Sequence, residues 1–269
     1  MPLTLTLRAA DCTPLDFRGV TPDAVRGMTL AELLRQRVRC GNRALALGNV
    51  VEAAGDPADA LWRLEGDWSH VHHLGEGMAA GEIVAAESIG RHAGAAMRGG
   101  SITIAGEAGD WLGAEMRGGL IRVTGEAGDH AGGAYPGSHR GMRGGVLLID
   151  GHAGAWLGER MRRGLIAVSG DAGVGLAAEM LAGTVLLWGS CQGAPGVGMR
   201  RGTLGLFGPP PELLTTFVSG GENPLPMWPL LQQELRRHGF AAEIPQGAAM
   251  RIVHGDSLHG ARGEVLLAR

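Results

Sequence analysis

Short apolar runs alternate with glycine-rich polar turns through the middle of the chain. Six five-residue runs follow one another at nearly constant spacing: SITIA (101–105), LIRVT (120–124), VLLID (146–150), LIAVS (165–169), TVLLW (184–188) and TLGLF (203–207). Their length and β-branched content are typical of β-strands, and no interval leaves room for a helix. The pattern therefore predicts a series of short strands joined by tight turns.

A methionine marks the same place in each repeat, and a glycine follows it three residues later. The methionines lie 19 residues apart, except for one interval of 26: Met78, Met97, Met116, Met142, Met161, Met180 and Met199. A regular period of this length favours stacked repeats. The sequence thus predicts an all-β, single-chain parallel β-helix (β-solenoid) of about seven 19-residue Gly/Met coils with small α/β caps at both ends. Because methionine is unbranched and adaptable, we expect this column to fill the interior.

Both flanks differ from the repeat and are predicted to cap it. LTLTL (3–7) alternates as an edge strand would, and Thr29 with Glu32 forms a capping box before a helix. LPMWPLLQQELRRHGF (225–240) predicts another helix, and residues 249–269 predict a closing pair of strands. The expected organisation is a single domain, 1–269, with an N-terminal cap at 1–58, the β-solenoid at 59–208 and a C-terminal cap at 209–269.

Composition excludes several classes of protein. The chain holds 48 Gly, one Tyr and four Phe, its net charge is −3, and all 24 basic residues are Arg. This charge argues against nucleic acid as a partner. The first residues lack the pattern of a signal peptide, and no apolar run reaches the roughly 18 residues of a membrane span. A cytoplasmic protein without membrane contact is expected.

The sequence offers no recognisable catalytic or metal motif. The glycine clusters precede strands rather than helices, which argues against a dinucleotide fingerprint, and a phosphate loop is excluded because there is no Lys. His70 and His72 have a spacing that one face of a strand could offer to a metal, but no matching ligands accompany them. His92, His130 and His152 are placed at different phases of the repeat, so no stacked row of histidines is expected. The prediction is no catalytic residue and no metal site.

Arginine follows the methionine in five repeats and forms the one candidate binding feature. If the methionine points inward, its neighbour points outward, and the guanidinium groups form a file: Arg98, Arg117, Arg143, Arg162 and Arg200. Two interpretations remain open, a solvated row or a face for an anionic ligand or partner. The additional seven residues between Asp129 and Gly141 predict a surface loop carrying the single Tyr135, as either a partner contact or an unremarkable loop.

The repeat MRGGxIxVxGxAGxxxGxxM, followed by RIVHGDSLHGARGEVLL (251–267), resembles one family closely: the C subunit of formylmethanofuran dehydrogenase. The repeat is also similar to the C-terminal domain of the large glutamate synthase subunit. The resemblance covers nearly the whole chain. It implies a non-catalytic scaffold, with the amidohydrolase-like (A), B and formyltransferase (D) subunits as partners. It implies no cofactor on this chain, but a methanofuran-like carrier for the complex and a zinc-type metal site on another subunit.

Two versions of that complex differ in chemistry. In the bacterial formyltransferase/hydrolase complex, a formyl group passes from formyl-tetrahydromethanopterin through the carrier to formate. In methanogens, a molybdenum or tungsten dehydrogenase reduces carbon dioxide. The all-Arg composition favours the bacterial version, and the anionic glutamyl tail of the carrier would suit the Arg file. A β-helix acyltransferase is a third alternative, although its hexapeptide period and active-site His do not match this repeat.

Overall fold

The computed structural model describes residues 1–8, 14–223, 226–244 and 250–268. Three α-helices are present in these ranges: α1 (Pro22–Val25), α2 (Leu30–Leu34) and α3 (Trp228–Arg237). The strands, in chain order, are β1 (Leu3–Leu7), β2 (Leu15–Asp16), β3 (Arg37–Cys40), β4 (Arg43–Ala46), β5 (Val51–Ala54), β6 (Leu61–Glu65), β7 (Val71–His72), β8 (Glu82–Ala85), β9 (Ser101–Ile104), β10 (Leu120–Val123), β11 (Arg143–Ile149), β12 (Arg163–Val168), β13 (Thr184–Leu187), β14 (Arg201–Leu206), β15 (Val218–Asn223), β16 (Met250–Gly255) and β17 (Arg262–Leu267).

The repeated apolar runs form the strands that the sequence predicts, and each pairs in parallel with the next. Ile102 of β9 lies beside Ile121 of β10, which lies beside Leu147 of β11. The repeat spacing therefore sets the register. Thirteen strands make one sheet, in the order β15-β16-β17-β14-β13-β12-β11-β10-β9-β8-β6-β1-β5, and β4-β3-β2-β7 make a second, smaller sheet.

The predicted fold class is corrected by this topology. The large sheet is mixed, because β5 runs antiparallel to β1 at one end, and β16 runs antiparallel to both β15 and β17 at the other. It is not a closed parallel β-helix. The remainder of each repeat consists of turns that contribute single bridges, such as Ala108 to Ala127, rather than further strands. The terminal segments extend the same sheet, and β1 pairs on both sides instead of forming an edge.

The methionine column fills the interior as predicted, and all seven side chains are fully buried. Their packing also explains the glycine three residues after each methionine. A Cβ on Gly119 would lie 2.7 Å from the Met97 methyl group, and a Cβ on Gly145 would lie 2.7 Å from that of Met116. These glycines also have positive φ, +89° at Gly119. Each repeat thus leaves room for the methionine of the repeat before it.

A second layer covers the other face of the later strands. Trp228 and Leu235 of α3, with Phe240 and Ile244 after it, pack against Leu148, Leu186 and their neighbours in the sheet. Arg122 on β10 pairs with Asp150 at 2.9 Å and donates to the carbonyl of His238 at 2.9 Å. The presence of α3, β16 and β17 confirms the predicted C-terminal helix and the closing pair of strands.

The N-terminal helix begins as the sequence predicts, at a capping box. The Glu32 backbone N–H donates to Thr29 Oγ1 at 3.3 Å, and the Thr29 backbone N–H donates to the Glu32 carboxylate at 2.8 Å. The Thr29 backbone N–H and the Thr29 hydroxyl, which donates to the same carboxylate at 2.8 Å, hold the pKa of Glu32 below its ordinary value. The helix extends only from Leu30 to Leu34, and its buried residue is Leu33.

Candidate functional site

The five arginines of the predicted file occupy equivalent positions in the backbone. Each donates its N–H to the carbonyl of the methionine one repeat earlier, at 2.6–2.8 Å: Arg98, Arg117, Arg143, Arg162 and Arg200. Leu181 interrupts the file between the last two. Arg98, Arg117 and Arg200 are exposed, whereas Arg143 and Arg162 are half-buried. Arg143 Nη2 pairs with Glu115 at 3.0 Å, so this guanidinium is already neutralised by its own chain.

A row of aromatic and imidazole rings, which the sequence analysis missed, crosses the same repeats. We call these rings the ring row. Each member lies five positions before a methionine of the column, and for His130 the seven inserted residues that follow it are left out of the count. The members are His73, His92, Trp111, His130 and Trp156. His73 and His92 stack with ring centroids 4.4 Å apart, and Trp111 and His130 stack at 4.1 Å. His92 and His130 therefore share one phase, and the expectation of different phases is wrong for this pair.

The five residues of the ring row have a left-handed backbone conformation. All five residues have φ between 59° and 63°, a conformation that side chains other than those of Asn, Asp and His seldom adopt. The same turn holds glycine in the following repeat, where a Cβ on Gly175 would lie 2.7 Å from the Trp156 ring. The row thus ends with Trp156 lying on the Gly175 backbone, and the Trp156 residue is 42% exposed.

The insertion loop, residues 129–141, folds back against the ring row. Tyr135 packs on Trp111 with centroids 4.9 Å apart, and its hydroxyl lies 2.8 Å from His92 Nδ1. Burial, and then the positive charges of nearby histidines, lower the pKa of His92 to about 4. Burial, and then the charges of Glu76 and Glu115, raise the pKa of Tyr135. At neutral pH the tyrosine hydroxyl is therefore hydrogen-bonded to an uncharged imidazole.

An ion cluster closes the first end of the ring row. His73 Nδ1 lies 2.6 Å from Glu76 Oε2, and Arg18 lies 2.9 Å from His73 Nε2 and 3.2 Å from the same glutamate. Burial raises the pKa of Glu76. The hydrogen bond from His73 and the charges of His73 and Arg18 together lower it by more than burial raises it, so the net shift of the pKa is downward. The cluster fixes the ring of His73, on which His92 stacks.

A cationic groove lies beside the insertion loop, which contributes His139 and Arg140 to its lining. Its volume is about 550 Å³. We call it the cationic groove, and its lining residues are His139, Arg140, Arg160, Glu179, Leu181, Val197, Gly198, Arg200 and His259. Arg200 is the one member of the predicted Arg file that reaches it. Arg160 Nε and Nη2 form two bonds to the Glu179 carboxylate, at 3.0 and 3.3 Å.

Of the two histidines considered as metal ligands, His72 has another contact and His70 is exposed. His72 Nδ1 accepts the backbone N–H of Arg91 at 3.0 Å. Burial, and then the charges of Arg91 and His73, lower the pKa of His72. Within the described residues, no three His, Cys, Asp or Glu side chains are grouped as metal ligands. In the same ranges, no helix has the length and apolar content needed to cross a bilayer.

Comparison with known proteins shows which molecules this chain is similar to. No family model matches the chain. The chain is similar over 99% of its length to a chain in the crystal structure of the formyltransferase/hydrolase complex FhcABCD from Methylorubrum extorquens, solved with methylofuran. The TM-score is 0.89, the identity is 35%, and 99% of that chain is covered.

Curated relatives share a shorter stretch. The C subunit of the molybdenum-containing formylmethanofuran dehydrogenase 1 of Methanothermobacter thermautotrophicus is 38% identical over 78 residues. The C subunit of the tungsten-containing formylmethanofuran dehydrogenase 2 of Methanothermobacter marburgensis is 31% identical over 91 residues. These matches cover 29% and 32% of this chain, and 20% and 34% of the relatives' length.

The full-length match defines the class of protein to which this chain belongs. It is a subunit of an enzyme complex of the formylmethanofuran type. Within that class, the chain belongs to the family formed by the C subunit of formylmethanofuran dehydrogenase and its counterpart in the formyltransferase/hydrolase complex.

Proposed function

We propose that this chain is the non-catalytic scaffold, the C subunit, of a formyltransferase/hydrolase complex. The observation that carries the proposal is the full-length match to the Methylorubrum extorquens complex. In this proposal the complex moves a formyl group from formyl-tetrahydromethanopterin, through a methanofuran-like carrier, to formate. It works in the cytoplasm, and the chemistry takes place on other subunits.

The architecture suits a scaffold. Backbone hydrogen bonds link every repeat to the next, and the methionine column fills the space between them. Such a stack holds surface groups at fixed spacing, because neighbouring strands lie about 4.8 Å apart. The most strongly shifted pKa values, those of His92 and Tyr135, belong to groups that hydrogen-bond each other. We assign these two residues to holding the insertion loop rather than to proton transfer.

The proposed partners are the amidohydrolase-like (A), B and formyltransferase (D) subunits. The carrier and a zinc-type metal site are assigned to those subunits, and no cofactor is assigned to this chain. The Arg file, Arg98 to Arg200, is proposed as a partner face or as a path for an anionic carrier tail. Three exposed guanidinium groups at equivalent positions support this assignment.

A second candidate is the C subunit of a molybdenum- or tungsten-containing formylmethanofuran dehydrogenase. The curated relatives favour it, since both belong to such dehydrogenases. The full-length match to the bacterial complex outweighs them, because they cover a third of the chain or less. The β-helix acyltransferase alternative depended on a fold class that the mixed sheet contradicts.

Affinity purification of the tagged chain from its native host at low salt tests both candidates. Mass spectrometry identifies the co-eluting proteins, and formate release from a formylated carrier measures activity. Co-elution of amidohydrolase-like and formyltransferase subunits, with formate release, would support the first proposal. Co-elution of molybdopterin or iron–sulfur subunits instead would favour the dehydrogenase, and a chain that elutes alone would contradict both.

A further inference from the structure

The cationic groove is formed by the insertion loop, the turns of later repeats and the C-terminal turn, which are separated in sequence. His139 and Arg140 come from the insertion loop. Arg160 and Arg200 come from the turns of two later repeats, and His259 comes from the 3₁₀ turn Ser257–His259 near the C-terminal end of the described chain. The single insertion in the repeat thus lies opposite the C-terminal turn, and neither the loop nor the turn would form a groove alone.

The lining carries more positive charge than its own chain neutralises. Three arginines and one glutamate give it a formal charge of +2 with the histidines uncharged. Arg160 is paired with Glu179 at 3.0 Å and with Glu159, which lies outside the lining, at 3.8 Å. Arg140 and Arg200 form no ion pair with any described residue. Two guanidinium groups are therefore available to bind carboxylates from outside the chain.

One exposed apolar side chain lines the groove with these arginines, and a second is the sequence neighbour of the lining residue His259. Val197 lines the groove and is 42% exposed, and Leu258, adjacent to His259, is 77% exposed. Arginine is enriched at protein interfaces, where a partner covers exposed apolar groups and desolvates the charge. A small anion would neutralise the arginines but leave Val197 and Leu258 in water. The apolar rim therefore favours a protein segment as the occupant.

Hydrogen bonds within the chain hold the walls of the groove in place. Arg160 Nη1 donates to the carbonyl of Ser138 at 2.9 Å, which fixes the insertion loop. Buried Asp256 accepts the backbone N–H of Leu258 at 3.0 Å and that of Gly198 at 3.2 Å, which joins the C-terminal turn to the last repeat. A groove that is already formed loses little conformational freedom on binding.

We propose that the cationic groove is the docking site for an acidic segment of a partner protein. Asp or Glu side chains of the segment pair with Arg140 and Arg200, and an apolar side chain covers Val197 and Leu258. The identity of the partner rests on the proposed function: it is one of the other subunits of the same complex. The site differs from the Arg file, since Arg200 is the only residue the two share.

The test compares charge-reversal variants in the co-expressed complex of all four subunits. The variant is Arg140→Glu/Arg200→Glu, and the matched control is Arg63→Glu/Arg237→Glu, which reverses two exposed arginines outside the groove. Native mass spectrometry at low and high salt measures the fraction of this chain in the complex. We expect at least about a tenfold loss of affinity in the groove variant and little change in the control. Unchanged thermal unfolding of the isolated variant shows that it folds.

A second variant, Val197→Ser/Leu258→Ser, tests the apolar part and should also weaken assembly. A complex that forms normally with both groove variants would overturn the docking proposal and leave the proposed function intact. Failure of the wild-type chain to assemble would instead contradict the proposed function. If the charge variant abolishes binding of inorganic phosphate, measured by calorimetry, while assembly is unchanged, the groove is a small-anion site and the docking proposal is wrong.

Discussion

The methionine column and the ring row cross the same repeats but follow different rules. All seven positions in the column are methionine, and each is fully buried. The equivalent positions of the ring row hold His, Trp, Gly and finally Ala, and its rings are half-buried except for the exposed Trp156. In the column, each methionine must fit the space left by the next repeat, so the residue type does not change. In the ring row, each ring only has to stack on a flat group, so both His and Trp occur at this position.

The largest effect is expected where a side chain would enter the interior. Gly119→Val introduces branched atoms at a left-handed residue beside the Met97 methyl group and the Gly100 carbonyl. Strain and overpacking together should cost roughly 4 kcal/mol of unfolding free energy. Urea unfolding measures this loss. In Gly137→Val, the control, the backbone is also left-handed, at φ +84°, but no atom lies within 4 Å of the added Cβ. An equal loss in the control would show that packing plays no part.

Removing a methionine should cost somewhat less. Met116→Ala empties a fully buried position, and we expect a loss of about 3 kcal/mol, within the range for large-to-small core substitutions. Met227→Ala, at the partly exposed start of α3, should change stability by no more than about 0.5 kcal/mol. Similar values for the two variants, measured by urea unfolding, would contradict the assignment of the column to the core.

The ring row should contribute less than the column, and more in its middle than at its end. Trp111→Ala removes contacts with His130 and Tyr135, so a loss of about 2 kcal/mol is expected. Trp156→Ala at the exposed end should lose about half of that. Thermal unfolding of the two variants measures the difference. A greater loss for Trp156 would mean that stacking does not set the order.

The ring row should also make stability depend on pH. The pKa of His92 is about 4 in the folded chain, below its ordinary value of 6.5. The unfolded chain therefore binds the proton first, and stability should decrease as pH falls from 6.5 towards 4. His92→Asn should flatten that decrease, and His152→Asn, an exposed control, should not. Urea unfolding across this pH range gives the slope, and an unchanged slope in His92→Asn would contradict the burial of an uncharged imidazole.

The smallest effect on stability is expected in the Arg file. Arg117→Ala removes an exposed side chain that forms no ion pair with the described residues, so unfolding should change by no more than about 0.5 kcal/mol. Thermal unfolding of the isolated chain checks this. A loss of several kcal/mol would mean that the file stabilises the fold instead of serving as a binding face.

The period predicted some features of the molecule better than others. It located the central strands, the buried methionines and the glycines beside them, because stacking requires identical residues there. It did not predict the antiparallel strands at the two ends, since β5 and β15 have no counterpart in the repeat. The sheet was therefore expected to be a closed β-helix and is instead open and mixed.

The surface was harder to predict because its residues vary. The ring row was missed for two reasons: both His and Trp occur in it, and the insertion adds seven residues between His130 and Met142. Counting back from each methionine, with the insertion placed after His130, would have found it. The cationic groove could not be predicted from spacing, because Arg140, Arg200 and His259 come together only through the fold of the loop and the C-terminal turn.

We propose that this chain organises a complex whose chemistry lies on other subunits. The most direct measurement is native mass spectrometry of the co-expressed subunits with and without this chain, combined with formate release from a formylated carrier. We expect the full assembly to form only when this chain is present, and the chain alone to release no formate. Assembly of the remaining subunits without it, or formate release by the chain alone, would contradict the account.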